Sequence, residues 1–170
     1  VGEMIEIYRR NSDTPISLAG LTIGYTNSSG NFTTLVEFPE NSWMTGESIL
    51  LRLASSPEHE LAAVNYTKTL AFKAGPLILM RGEETIDSVC WTSKDGCVVE
   101  FKSSNPTTLV RNIETGEFEH ITDYTPIYEV KNYEIKNEED GYGEVMSQCK
   151  GLKFSEVLSY YDELQIEQFV

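Results

Sequence analysis

Cysteine, histidine and paired carboxylates are the residue types with which this chain could do chemistry. Its three cysteines are Cys90, Cys97 and Cys149. Cys90 and Cys97 enclose Lys94-Asp95-Gly96, a turn signal, and two strand ends closing on a tight turn bring their Cβ atoms into bridging range. The spacing predicts a Cys90–Cys97 disulfide and an oxidising compartment. The alternative is a pair of free thiols, one of them buried as a small hydrophobe. Cys149 is left over, with a partner outside this stretch. Three cysteines do not build a four-thiolate zinc site, and the spacing is not CxxC.

The two histidines, His59 and His120, lack metal-ligand spacing, and there is no GxSxG elbow, P-loop or GxGxxG. No catalytic residue, metal site or cofactor is expected, and the chain reads as no enzyme. The acidic cluster Asn137-Glu138-Glu139-Asp140-Gly141 is the best candidate for a calcium loop. Aligning Gly141 to the sixth place of an EF-hand puts Lys136 first and Ser147 twelfth, both wrong types, so a solvated segment is the better reading. Asp87, charged within a strand run, either faces solvent or pairs with Arg111 inside the fold. Trp43, Trp91, Tyr124 and Tyr128 are the candidate binding aromatics; an exposed strip of them would stack on sugars or fill a partner's pocket. Trp91, beside Cys90, reads rather as packing over the disulfide, and Trp43, just before Thr45-Gly46, as exposed.

The elements that would carry these residues are strands. The chain has 170 residues, 40% of them apolar, with a formal net charge of -14. Length and apolar content suffice for one domain with a sizeable core. The charge repels phosphate backbones, so nucleic acid is excluded as a partner. No apolar run approaches the ~18 residues a bilayer span needs, so no membrane insertion is expected here. The chain starts at Val1 without methionine or signal peptide and reads as an excised piece.

Hydrophobic periodicity is mostly two. It places strands at Met4–Tyr8, Leu21–Tyr25, Thr34–Phe38, Ser48–Leu53, Lys68–Phe72, Leu77–Met80, Thr85–Trp91, Thr108–Asn112, Phe118–Ile121 and Ile127–Val130. Turn chemistry separates most of them, as at Asn27-Ser28-Ser29-Gly30-Asn31. Many short strands so spaced predict an all-β sandwich. Ser56–Ala63 is expected as one short helix, with Ser56 as cap, Pro57 in the first turn and Glu58 and Glu60 at the positive dipole end. From Lys131 the composition turns polar, which reads as a linker over 131–148. An apolar tail follows, Leu152–Leu158 alternating like a strand. Glu167-Gln168-Phe169-Val170 echoes Gly2-Glu3-Met4-Ile5, the mark of a tandem repeat.

Met4-Ile5-Glu6-Ile7-Tyr8 followed by Ser12-Asp13-Thr14-Pro15-Ile16-Ser17-Leu18-Ala19-Gly20-Leu21 resembles the lamin-tail domain family, with its "F-I-E-I-Y-N" strand and "D-L-S-G-W" turn. Arg9, Ser17 and Leu21 stand where Asn, Asp and Trp are usual. Ile86-Asp87-Ser88-Val89, Ser104-Asn105-Pro106-Thr107-Thr108-Leu109-Val110-Arg111 and Gly151–Leu158 resemble later and earlier strands of the same family. The resemblance implies an immunoglobulin-like β-sandwich over 1–130 lacking its first strand. Residues 149–170 would then be the first strands of a following repeat, able to complete the sandwich of 1–130 as a donor strand. It implies an extracellular or cell-surface module of bacterial type that binds protein or glycan, serving in adhesion or interaction. The alternative is an accessory carbohydrate-binding domain of a secreted hydrolase. In that setting the sequons at Asn27, Asn31 and Asn65 would stay unmodified.

Overall fold

A computed structural model describes residues 3–9, 14–70, 75–90, 108–112, 114–121, 131–136 and 164–169. Among these residues the backbone forms thirteen strands and no helix: β1 (Met4–Arg9), β2 (Ile16–Ser17), β3 (Leu21–Thr26), β4 (Phe32–Glu37), β5 (Ser42–Met44), β6 (Ser48–Leu53), β7 (Ala62–Tyr66), β8 (Gly75–Arg81), β9 (Glu84–Val89), β10 (Thr108–Arg111), β11 (Phe118–Ile121), β12 (Tyr133–Ile135) and β13 (Leu164–Phe169). No helix among them is long and apolar enough to cross a membrane.

The strands form three sheets. A six-stranded sheet has the order β11-β10-β13-β1-β6-β7, a four-stranded sheet β4-β3-β8-β9, and a three-stranded sheet β12-β5-β2. Every pairing is antiparallel except β6 with β7. Alternation explains the layering. In β1 it is Ile5 and Ile7, in β6 Ile49, Leu51 and Leu53, that join one buried cluster with Leu21, Ile23 and Tyr25 of β3 and Leu77 and Leu79 of β8. Residues at i and i+2 share a face of a strand, so the two larger sheets supply opposite walls of one core, compatible with a β-sandwich. Met44 of the three-stranded sheet, with Ile16, Leu18 and Phe38, enters the same cluster. β6 is buried along its whole length, Leu50 and Arg52 included, so the six-stranded sheet is covered on both faces there.

The expected helix over Ser56–Ala63 does not form. Ser56, its supposed cap, spends its hydroxyl on a residue far away in sequence, just ahead of β1, accepting the Glu3 backbone N–H at 2.8 Å. Its own N–H turns back to Leu53 O at 2.9 Å. Pairing of Leu51, Arg52 and Leu53 with Val64, Asn65 and Tyr66 then draws the following residues into β7. Local capping signals lose here to a ladder made with a neighbouring strand. Residues 68–70, expected as part of a strand, are not in one. The stretch read as a linker from Lys131 opens instead with β12, fastened by Thr45 N–H to Asn132 O at 3.0 Å and by Asn132 Nδ2 to Ser48 O at 3.0 Å. The expected strands at Ile127–Val130 and Leu152–Leu158 lie outside the described residues.

Gly24 is required by close approach. The register slips between Ile23 and Gly24 where β3 meets β4. A Cβ at Gly24 would sit 2.5 Å from the Phe32 ring and 2.5 Å from the Thr33 backbone oxygen. Gly24→Ala should therefore destabilise the protein by about 2 kcal/mol, the usual cost of forcing an extra methyl into packed surroundings. Urea unfolding checks this; an unchanged midpoint would mean that β4 yields freely.

Candidate functional site

A polar cleft of about 580 Å³ opens where β6 and β7 meet the loop between them. Arg52, Glu58, His59, Glu60, Ala62 and Asn65 line it. Arg52 enters from β6, a strand otherwise apolar between Ile49 and Leu53. Its side chain is held from two sides: Nε donates to Asn65 Oδ1 at 3.1 Å and Nη1 to Ser56 O at 2.5 Å. These contacts satisfy a guanidinium that is only 8% exposed. Parallel pairing puts Asn65 opposite Arg52, which gives the cleft a floor built on sheet rather than on loop. Glu58 and Glu60 are exposed on the rim. His59 Nδ1 accepts the Leu61 N–H at 3.3 Å, which fixes the ring against its own turn. The arrangement offers two carboxylates, an imidazole, an amide and an anchored guanidinium, a set suited to polar and charged partners. Among the described residues no group of three or more His, Cys, Asp and Glu side chains could hold a metal ion.

A second constellation lies between the sheets. Asp87 of β9 and Arg111 of β10 form an ion pair, Nη2 to Oδ2 at 2.6 Å, with side chains 19% and 14% exposed. Of the two readings open in the sequence, the paired one is what the fold adopts. The pair also takes hold of β13. Asp87 Oδ2 accepts the Ile166 N–H at 2.8 Å, and Arg111 Nε donates to Ile166 O at 3.2 Å. A bulge makes this possible. Between Glu6↔Gln168 and Ile7↔Ile166 the β1 ladder skips Glu167, and β10 pairs only with Gln168 and Phe169. Where the β10 ladder stops, the two side chains take over the main chain of Ile166. The Arg111 guanidinium also lies 4.6 Å from the centre of the Phe118 ring.

A third cluster closes the end of β1. Glu3 accepts the Leu70 N–H at 2.9 Å. Burial pushes its carboxyl up, and the Leu70 N–H and the Tyr66 hydroxyl oppose this in part. Burial first, and the Glu3 charge second, push the Tyr66 phenol far above its ordinary value. A carboxyl raised in the folded state contributes stability that is present below its unfolded value near 4.5 and is lost as pH rises through the folded value. Glu3→Gln should flatten that part of the profile, so its stability relative to the wild type should grow as pH is raised from 4.5 towards neutrality. Parallel stability curves for the two proteins across that window would show that Glu3 is not the group responsible.

The residues proposed from sequence fall in different places. Trp43, read as exposed, is buried: it is 4% exposed, seated in β5 between β2 and β12, with Lys136 Nζ 5.6 Å from the ring centre. Two neighbouring strands on a short ladder cover a ring that a turn alone would have left bare. Cys90 is half-buried and disulfide-bonded; Cys97 and Cys149 lie outside the described residues, as do Trp91, Tyr124, Tyr128 and the acidic cluster 137–141. Asn27 organises its hairpin loop, its Oδ1 accepting the Ser29 and Asn31 N–H groups, both at 3.0 Å. His120 lies in β11, remote in sequence from His59. Sequence reasoning missed the cleft. The available signal was Arg52, one charge inside the run Ile49-Leu50-Leu51-Arg52-Leu53, followed by the charged turn Glu58-His59-Glu60. Comparison of the chain with protein-family models, with curated proteins and with solved structures gave no match.

Proposed function

We propose that this chain is a non-enzymatic extracellular interaction module of immunoglobulin-like build, similar to lamin-tail domains of bacterial tandem arrays, and that it recognises a protein at the cell surface. The observation that supports this most is the cleft at Arg52 and Asn65, an open polar recess of about 580 Å³ on a rigid sheet floor with charged groups at its rim. Binding sites built on sheet hold their geometry better than sites on free loops. The rim carboxylates Glu58 and Glu60 suit a partner with basic groups, and the net charge of -14 disfavours nucleic acid. In this reading Cys90 is bridged to Cys97 across the Lys94-Asp95-Gly96 turn, as suits a secreted domain.

A carbohydrate-binding accessory domain is the second reading, favoured by the cleft's polar lining, which suits sugar hydroxyls. Burial of Trp43 weighs against it, because a stacking platform must be exposed. The experiment is binding of the labelled protein to intact cells before and after protease shaving or glycosidase treatment. Protein recognition predicts that shaving abolishes binding, glycosidases spare it, and the double change Glu58→Lys with Glu60→Lys weakens it at least tenfold. Binding that survives shaving but not glycosidases turns the reading to carbohydrate. Binding indifferent to the charge reversal removes the cleft from the account.

A further inference from the structure

The strand β13 is an interior strand of the six-stranded sheet, yet it comes from far along the chain. Its neighbours are β1 and β10, and without it β1 would be an edge and the β10–β11 hairpin would lose its link to the sheet. Among the described groups, the slot reads this strand through its backbone and through Ile166. β1 supplies a five-position ladder, β10 a two-position ladder, and Asp87 and Arg111 seize the N–H and C=O of Ile166. The side chain that the slot demonstrably swallows is that of Ile166, fully buried in the common core. None of these recognising groups is close to β13 in sequence.

We propose that the slot between β1 and β10 is a strand-acceptor site that takes the Leu164–Phe169 segment of a second copy of this chain in place of its own. Three facts support that occupant. The strand seated there is itself a segment of this chain, so shape and register match by construction. The described recognition, by main-chain groups and the Ile166 pocket, cannot distinguish the chain's own strand from an identical strand of another copy. Residues 136–163, 28 in number, separate β12 from β13, a contour of roughly 95 Å at full extension. A domain of this length is only about 40 Å across, so the strand can reach a neighbouring molecule. A tethered strand has an effective concentration on the order of millimolar at its own slot, so self-insertion dominates in dilute solution. Exchange emerges when the chain's own strand is disabled or copies are held close together. It does not involve the Arg52 cleft and stands or falls separately from it.

The test uses two full-length variants with different affinity tags. One is Ile166→Asp, which keeps the slot and spoils the strand. The other is Asp87→Ala with Arg111→Ala, which keeps the strand and spoils the slot. They are unfolded together in urea, refolded, purified through both tags and weighed by native mass spectrometry. The expected result is a 1:1 heterodimer at least tenfold more abundant than either variant's homodimer. The Ile166 amide of the second variant should gain protection from hydrogen exchange in the mixture only. Separate recovery of the two variants overturns the proposal, as does a heterodimer that persists when the second variant also carries Ile166→Asp. Should Ile166→Asp fail to fold alone, a synthetic peptide of residues 161–170 in the refolding mixture should rescue it, and the same peptide with Ile166→Asp should not. Failure of both the partner chain and the peptide to rescue also overturns it.

Discussion

Asp87→Ala should lower the unfolding free energy by about 3 kcal/mol, close to the usual cost of breaking a largely buried ion pair from one side. The loss has two parts. Arg111 keeps its charge in a site where it is 14% exposed, now without its carboxylate. The Ile166 N–H loses the oxygen that accepts it at 2.8 Å, and a buried donor without an acceptor costs about 1–3 kcal/mol. Arg111→Ala should cost a comparable amount, since it also gives up its bonds to Ile166 O and Gly116 O. The informative variant is the pair Asp87→Ala with Arg111→Ala. Removing both charges together should cost less than the two single changes added, by at least about 1 kcal/mol. Urea unfolding of the four proteins closes the cycle. A cost below about 0.5 kcal/mol for Asp87→Ala would class the pair with solvated surface bridges and remove it as the holder of β13.

Leu51→Ala should cost about 3–4 kcal/mol, in the range for emptying a fully buried aliphatic site. Leu51 lies in β6, opposite Ile5 on one side and Val64 on the other, and its side chain is in the cluster shared by the two larger sheets. A domain's net stability is about 5–15 kcal/mol, so this one change should shift the thermal midpoint by about 6–16 °C. Leu50 makes the comparison sharp. It is equally buried but lies on the opposite face of the same strand. If Leu50→Ala costs as much as Leu51→Ala, both faces of the sheet are packed. If Leu51→Ala costs less than about 1 kcal/mol, the two sheets do not close on a common core, and the layered account of the fold fails.

What could be read from the sequence was whatever rests on alternation within one strand. β1, β3, β6 and β8 are apolar enough at every second residue to show themselves, and the hairpin loop at Asn27–Asn31 carries its own turn chemistry. Elements that exist because of a neighbour were hidden. β7 follows a proline and two glutamates that locally favour a helix start, and only the ladder with β6 makes it a strand. β12 is three residues, too short for the alternation of Tyr133, Glu134 and Ile135 to stand out, and is stitched to β5 by backbone pairing and by Asn132. β13 was visible as an echo of the chain's beginning, but its place beside β1 is set by the Asp87–Arg111 pair, which no local pattern announces. The pair itself was anticipated as one of two alternatives. Trp43 was misjudged because a turn residue next to it says nothing about the two strands that flank it. The cleft escaped because its parts, Arg52 and Asn65, are 13 residues apart and meet only through a parallel register.

The central place of β13 also sets a schedule for synthesis. Arg9 ends β1 and Leu164 begins β13, so about 155 residues must be translated between the two partners of one ladder. At about 5–20 residues per second, that takes roughly 8–30 s. During this interval one side of β1 has no ladder partner, and the hairpin of β10 and β11 has no sheet to join. An apolar strand with a bare edge is a template for pairing with other chains. Closing so distant a contact is also slow, because the entropy of a long loop must be overcome before its ladder forms. Among the described strands β13 is thus the one that completes the sheet, and a chain ending before Leu164 would leave β1 and the β10–β11 hairpin unjoined.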